Sequence, residues 1–140
     1  MHKIIIVIVF IMGLVACGSP QKKHVEQKTV ESTGLANQNG KLVYKRHCLA
    51  CHQANAGGIP KMYPPLAKNK VISGEKEQLI GIVLNGMSGE IEVNGETYNG
   101  VMAGYRNLSD KDIADVLNYL RAGFGNTGDI ITEDEVKMLR

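Results

Sequence analysis

The chain has 140 residues, with 16 Lys and Arg against 14 Asp and Glu, 3 Cys, 4 His and no Trp. That is one domain's worth of residues. The near balance of charge, with no dense basic run and few aromatics, excludes a nucleic-acid-binding surface. The first element is a targeting segment. Met1-His2-Lys3 is a short basic start, and Ile4 to Val15 is almost continuously apolar, broken only by Gly13. The run is short for a membrane span and closes on small residues, as an export signal does.

Leu14-Val15-Ala16-Cys17 then resembles a bacterial lipobox. The resemblance implies cleavage before Cys17 and a lipid on that cysteine, which makes residues 1–16 a lipoprotein signal peptide and the mature protein exported and membrane-anchored. Residues 17–39 are Gln, Lys, Glu, Thr, Ser and Asn with little to bury, and read as a flexible tether. Such a chain has an r.m.s. reach of about 26 Å. The folded domain is expected over residues 40–140.

Gly40 to Leu49 reads as a first helix, with Asn37 or Asn39 as its cap. It runs into Cys48-Leu-Ala-Cys51-His52. Two thiols three residues apart lie on one face of a helical turn. They can add to the two vinyl groups of one porphyrin, and the next residue offers an imidazole to its iron. Cys-x-x-Cys-His is the attachment signature of a c-type haem, and shuffling this composition would yield it by chance with probability ~0.002. A thioredoxin-like redox pair would need a strand–helix–strand context, and a structural zinc site would need four ligands; neither pattern is legible here.

Ala54 to Lys70 is loop, broken by Gly57-Gly58, Pro60 and Pro64-Pro65. Glu75 to Leu84 is a second helix with an apolar stripe of Leu79, Ile80, Val83 and Leu84, Ser73 as cap and Asn85-Gly86 as stop. Residues 89–98 alternate Ile91 and Val93 with glutamates around Asn94-Gly95, a type I′ turn pair, and predict a small exposed hairpin. Asn99 to Tyr105 reads as loop. Ser109-x-x-Asp112 resembles a capping box for a helix over Asp110 to Ala122, whose apolar side is Ile113, Val116, Leu117 and Leu120. Thr132-x-x-Glu135 caps a last short helix, Glu133 to Leu139. The sum is an all-α domain of three main helices around a covalent haem, with one small β-hairpin.

What fills the sixth iron position decides the function. A thioether raises the potential and closes the site to small molecules, which suits electron transfer. Met62, Met87, Met102 and Met138 are the candidates. Met102 is preferred because its Gly-rich loop can cross the porphyrin face. Met87 beside Gly86 is its main competitor, Met62 lies in the proline-rich loop, and Met138 is assigned to packing or surface.

From about Gly40 to Leu120 the chain resembles class I cytochromes c, which are monohaem and His/Met ligated. The resemblance rests on Gly40 and Tyr44 ahead of Cys48-Leu-Ala-Cys51-His52, on Tyr63-Pro-Pro-Leu66, on Val101-Met102-Ala-Gly-Tyr105, and on Val116 and Tyr119-Leu120. It implies that the first and terminal helices cross with Gly40 at the contact, and that the Pro64 carbonyl accepts the His52 Nδ1 proton. It also implies that His52 and Met102 bind the iron. Members often carry proline after the ligand methionine; Ala103 stands there instead. Lys61, Lys68, Lys70 and Arg106 could ring the haem edge and steer an acidic partner. The expected function is single-electron transfer between redox partners of the cell envelope, by a monomer that is not an enzyme. The alternatives are a cytochrome subunit of an oxidase, nitrite reductase or dehydrogenase, and a haem sensor with an open sixth site.

Overall fold

A computed structural model describes residues 37–140. The signal segment, Cys17 and most of the tether lie outside the described residues. Residues 37–47 form helix α1, and after a turn at Cys48 helix α2 covers Leu49–His52. Helix α3 is Lys76–Asn85, strands β1 and β2 are Met87–Val93 and Glu96–Met102, and helices α4 and α5 are Asp110–Ala122 and Glu133–Met138. Five helical segments and one two-stranded antiparallel sheet therefore make a mostly helical domain. No helix among the described residues is long and apolar enough to cross a membrane.

α1 and α4 cross at the centre. A Cβ on Gly40 would lie 2.1 Å from the Asp115 carbonyl oxygen and 2.8 Å from Tyr119 Cβ, so only glycine permits this approach. Two expectations at this end are corrected. Asn37 and Asn39 lie inside α1 and cap nothing, because the helix already includes residues 37–39 of the expected tether. The Asn39 amide instead donates to Asp112 and Asp115 of α4, at 2.9 and 2.8 Å. Tyr44 is buried under the same crossing, with Tyr119 and Phe124 at ring-centroid distances of 5.7 and 5.9 Å, and its hydroxyl donates to the Gln53 carbonyl at 2.7 Å.

The apolar stripes fill the core as the helical period requires. Leu79, Ile80 and Leu84 of α3 meet Ile113, Val116, Leu117 and Leu120 of α4. Ser109 caps α4, accepting from the Asp112 amide, and Thr132 and Glu135 form a reciprocal capping box on α5. Ser73 does not cap α3. The N-cap is Glu75 with no side-chain bond, and Ser73 Oγ instead accepts from the Thr127 amide at 3.2 Å. Gly86 ends α3 with φ +75°.

The hairpin is longer than its turn signal suggested. Asn94 and Gly95 both have positive φ, 53° and 84°, as a type I′ turn needs. Pairing then continues outward from Val93↔Glu96 to Met87↔Met102. Residues 99–102, read as loop from their glycine, are strand. One face carries Met87, Ile91, Tyr98 and Met102. The other carries Ser88, Glu90, Glu92, Thr97, Asn99 and Val101.

Candidate haem site

α1 and α2 bring the two cysteines and the histidine together through ordinary helical bonds. The Cys48 amide donates to the Tyr44 carbonyl and the His52 amide to that of Cys48, both at 2.9 Å. Cys48 and Cys51 are half-buried and not disulfide-bonded. Burial, with a smaller effect of Cys51, pushes the Cys48 thiol up to about 11. A reactive redox thiol carries the opposite shift, toward thiolate. No group of three or more His, Cys, Asp or Glu among the described residues could hold a metal ion, and the zinc alternative lacks ligands.

His52 is buried, 8% exposed, and its ring donates from Nδ1 to the Pro64 carbonyl at 2.9 Å. That bond fixes the proton on Nδ1 and leaves the Nε2 lone pair free for a metal. Burial lowers the pKa of His52 and outweighs the opposing effect of the Pro64 bond, a balance that favours the neutral imidazole. The proline loop is held close by Gly58, whose φ is +66° and whose Cβ, if present, would lie 2.2 Å from the Tyr63 carbonyl oxygen. Further support comes from two buried asparagines. Asn126 accepts from the Asn69 amide and donates to the Leu66 and Leu120 carbonyls, each at 2.9 Å. Sequence reasoning missed Gly58, Asn69 and Asn126. Glycine pairs and asparagines in loops are too common to single out without their long-range partners.

His52 lines a cleft of about 920 Å³, open mouth included. Cys48, Cys51, His52 and Pro64 form one side and the hairpin face with Met87, Ile91, Tyr98 and Met102 the other. Behind it is a smaller pocket with apolar walls including Leu66, Leu79 and Leu117. Cys48, His52 and Met102 line both spaces; Met87 and Met62 line only the outer one. Met62 is 56% exposed and Met138, away from the cleft, is 77% exposed. Tyr105 ties the hairpin's exit to α1, its hydroxyl donating to the His47 carbonyl at 2.8 Å, with the His47 ring edge-on at 5.7 Å. Tyr98 is buried and donates to Glu96.

Two thiols, a neutral imidazole with a free Nε2, a thioether on the facing wall and an apolar floor are the donor set that haem c requires. The cytochrome c family profile matches residues 37–123. The chain belongs to the cytochrome c family. It is 40% identical over 115 residues to Cytochrome c-552 of Thermus thermophilus, an alignment covering 76% of this chain and 77% of that one. It is 30% identical over 96 residues to Cytochrome c-555 of Prosthecochloris aestuarii, covering 69% and 94%. It is also 32% identical over 130 residues to the cytochrome c subunit of alcohol dehydrogenase (quinone) from Gluconobacter oxydans, covering 86% of this chain but 27% of that subunit. This cytochrome is accordingly a haem c protein and an electron carrier.

None of the basic residues expected near the haem edge, Lys61 included, lines the cleft itself. Lys68 packs its stem against Gly125, and Arg106 is engaged with Asn85 and the Arg140 main chain. Neither these two nor Lys70 lines the cleft; the hairpin above it carries Glu90, Glu92 and Glu96 and no basic residue.

Proposed function

We propose that Cys48 and Cys51 hold the porphyrin as thioethers, that His52 and Met102 are the axial ligands, and that the protein carries single electrons between redox proteins of a bacterial cell envelope. The domain is a monomer tethered by lipid on Cys17, with residues 1–16 removed, and it converts no substrate. A bound haem c supplies one-electron chemistry between ferric and ferrous iron. The chain's residues do the rest. Pro64 orients the imidazole and raises its basicity, the core stripes exclude water from one side, and the hairpin shields the other.

The observation that carries this reading is the Nδ1–Pro64 bond of a buried His52 directly after two cysteines, facing a methionine wall. What favours Met102 over Met87 is that Met102 reaches both the cleft and the apolar pocket behind it. The test is the red-region sulfur-to-iron charge-transfer band of the oxidised, matured protein. Met102→Ala should abolish it and Met87→Ala should leave it. The reverse pattern would transfer the ligand role to Met87. Fast stoichiometric carbon monoxide binding by the reduced wild type would favour the open-site sensor. Labelling with a radioactive fatty acid, lost in Cys17→Ser, tests the anchor.

The similarity to a dehydrogenase cytochrome subunit supports a second reading, in which this domain is a fixed component of such a complex. Co-purification of a dehydrogenase with the solubilised cytochrome would favour it.

A further inference from the structure

We infer that Arg106 and Arg140 form a clasp that pins the methionine hairpin over the cleft and thereby sets how readily the sulfur ligand lets go of iron. The inference rests on Met102 being that ligand. The hairpin leaves the body through two adjacent backbones, 84–86 and 102–104. A Cβ on Gly86 would lie 2.3 Å from the Met102 carbonyl oxygen, and one on Gly104 2.6 Å from that of Leu84. Beyond this base the hairpin is mostly exposed, with Tyr98 its one buried side chain. Whatever fixes the two backbones at the base therefore fixes both methionines, which pair directly across the ladder.

The clasp does this from outside. Arg106 lies four residues after Met102. Its Nε and one terminal nitrogen donate to Asn85 Oδ1 at 3.1 and 2.7 Å, two residues before Met87. Its other terminal nitrogen donates to the Arg140 main-chain oxygen at 2.7 Å. Arg140 returns the contact, donating to the Arg106 carbonyl at 2.6 Å, the Leu108 carbonyl at 2.7 Å and the Asp110 carboxylate at 2.6 Å. Two planar guanidinium forks thus bridge the strand entrance, the strand exit and the segment after α5. That segment is itself moored. Val136 is fully buried. Residues 124–140 lie beyond the family match and supply a strap to the ligand-bearing hairpin.

The test uses matured haem protein with Arg140→Ala, Arg106→Lys and, as a control for general loosening of α5, Glu135→Gln. Carbon monoxide binding to the reduced protein reads ligand release, and the red-region band on heating reads the sulfur–iron bond separately from helix melting by circular dichroism. Both arginine variants should bind carbon monoxide at least tenfold faster than wild type and lose the band well before the helices melt, with Glu135→Gln close to wild type. Wild-type rates and coincident transitions in both arginine variants would overturn the clasp, as would an equal effect of Glu135→Gln. Absence of the band in the wild type, or its dependence on Met87 instead of Met102, would overturn the ligand assignment and with it the clasp's effect on Met102, a failure distinct from wild-type behaviour of the arginine variants.

Discussion

The two walls of the haem cleft are built differently. The histidine wall is a helix running into a loop tied to the core at several points. Ala56 is fully buried and its carbonyl accepts from both Leu66 and Ala67, and Asn69 and Asn126 bind loop to core. The methionine wall is a thin two-stranded ribbon, largely in solvent, fastened at its base. Buried polar bonds in the first wall cannot be exchanged for water, so breaking one leaves its partners unsatisfied. The ladder bonds of the ribbon are exposed to water, which replaces them at low cost. The comparison teaches that His52 is fixed by the core and Met102 by a hinge-like attachment, and it assigns substitutions on the two walls to different observables.

The sharpest way to break the comparison is Asn126→Ala. It strands the Asn69 amide and the Leu66 and Leu120 carbonyls, and should cost about 2–4 kcal/mol in chemical denaturation. A loss below ~1 kcal/mol would mean the histidine wall is not core-anchored. Next comes Gly58→Ala. The positive φ and the clash with Tyr63 should push the proline loop outward, at about 1–3 kcal/mol, and weaken the Pro64 bond to His52. A less basic imidazole should then move the reduction potential upward in voltammetry. An unchanged potential would remove Pro64 from the tuning of the haem.

On the other wall, Gly95→Ala disturbs the hairpin turn, where φ is +84° and nothing crowds a Cβ. It should cost only about 1 kcal/mol and leave helix melting nearly unchanged. A collapse of global stability would show that the ribbon is part of the folding core. The smallest expected effect is electrostatic. The Lys76 bond, with help from the Thr132 cap, holds the Glu135 carboxyl below its usual range. A carboxylate depressed by folding stabilises at neutral pH, and that contribution fades as pH falls through its folded value. Wild type should therefore exceed Glu135→Gln in stability at pH 7, and the gap should close in acid below about pH 4. A gap that widens in acid would contradict the pairing.

Much of this was written locally. The haem motif is contiguous because one helical turn must present both thiols and the imidazole to a single porphyrin. The capping residues Ser109, Thr132 and Glu135, the Asn94-Gly95 turn and the stripes of α3 and α4 act over three or four residues, so a linear reading finds them. The pairing of Met87 with Met102 was also recoverable, since counting seven residues outward from each side of a two-residue turn reaches both. It was missed because Gly100 reads as a loop signal, whereas a glycine on an exposed ribbon costs little and lets the strand run close to Met62.

Composition and local spacing by themselves determined the attachment chemistry, the helix boundaries to within a few residues and the existence of a hairpin. Tertiary structure alone decided that Asn39 bridges two carboxylates instead of capping, that Asn126 holds the histidine loop, and that Arg106 and Arg140 meet across 34 residues of sequence. The physical reason is range. Covalent geometry and helix capping are satisfied within one turn of chain, whereas a buried amide or a guanidinium fork is satisfied by whichever distant carbonyl the packed fold delivers to it.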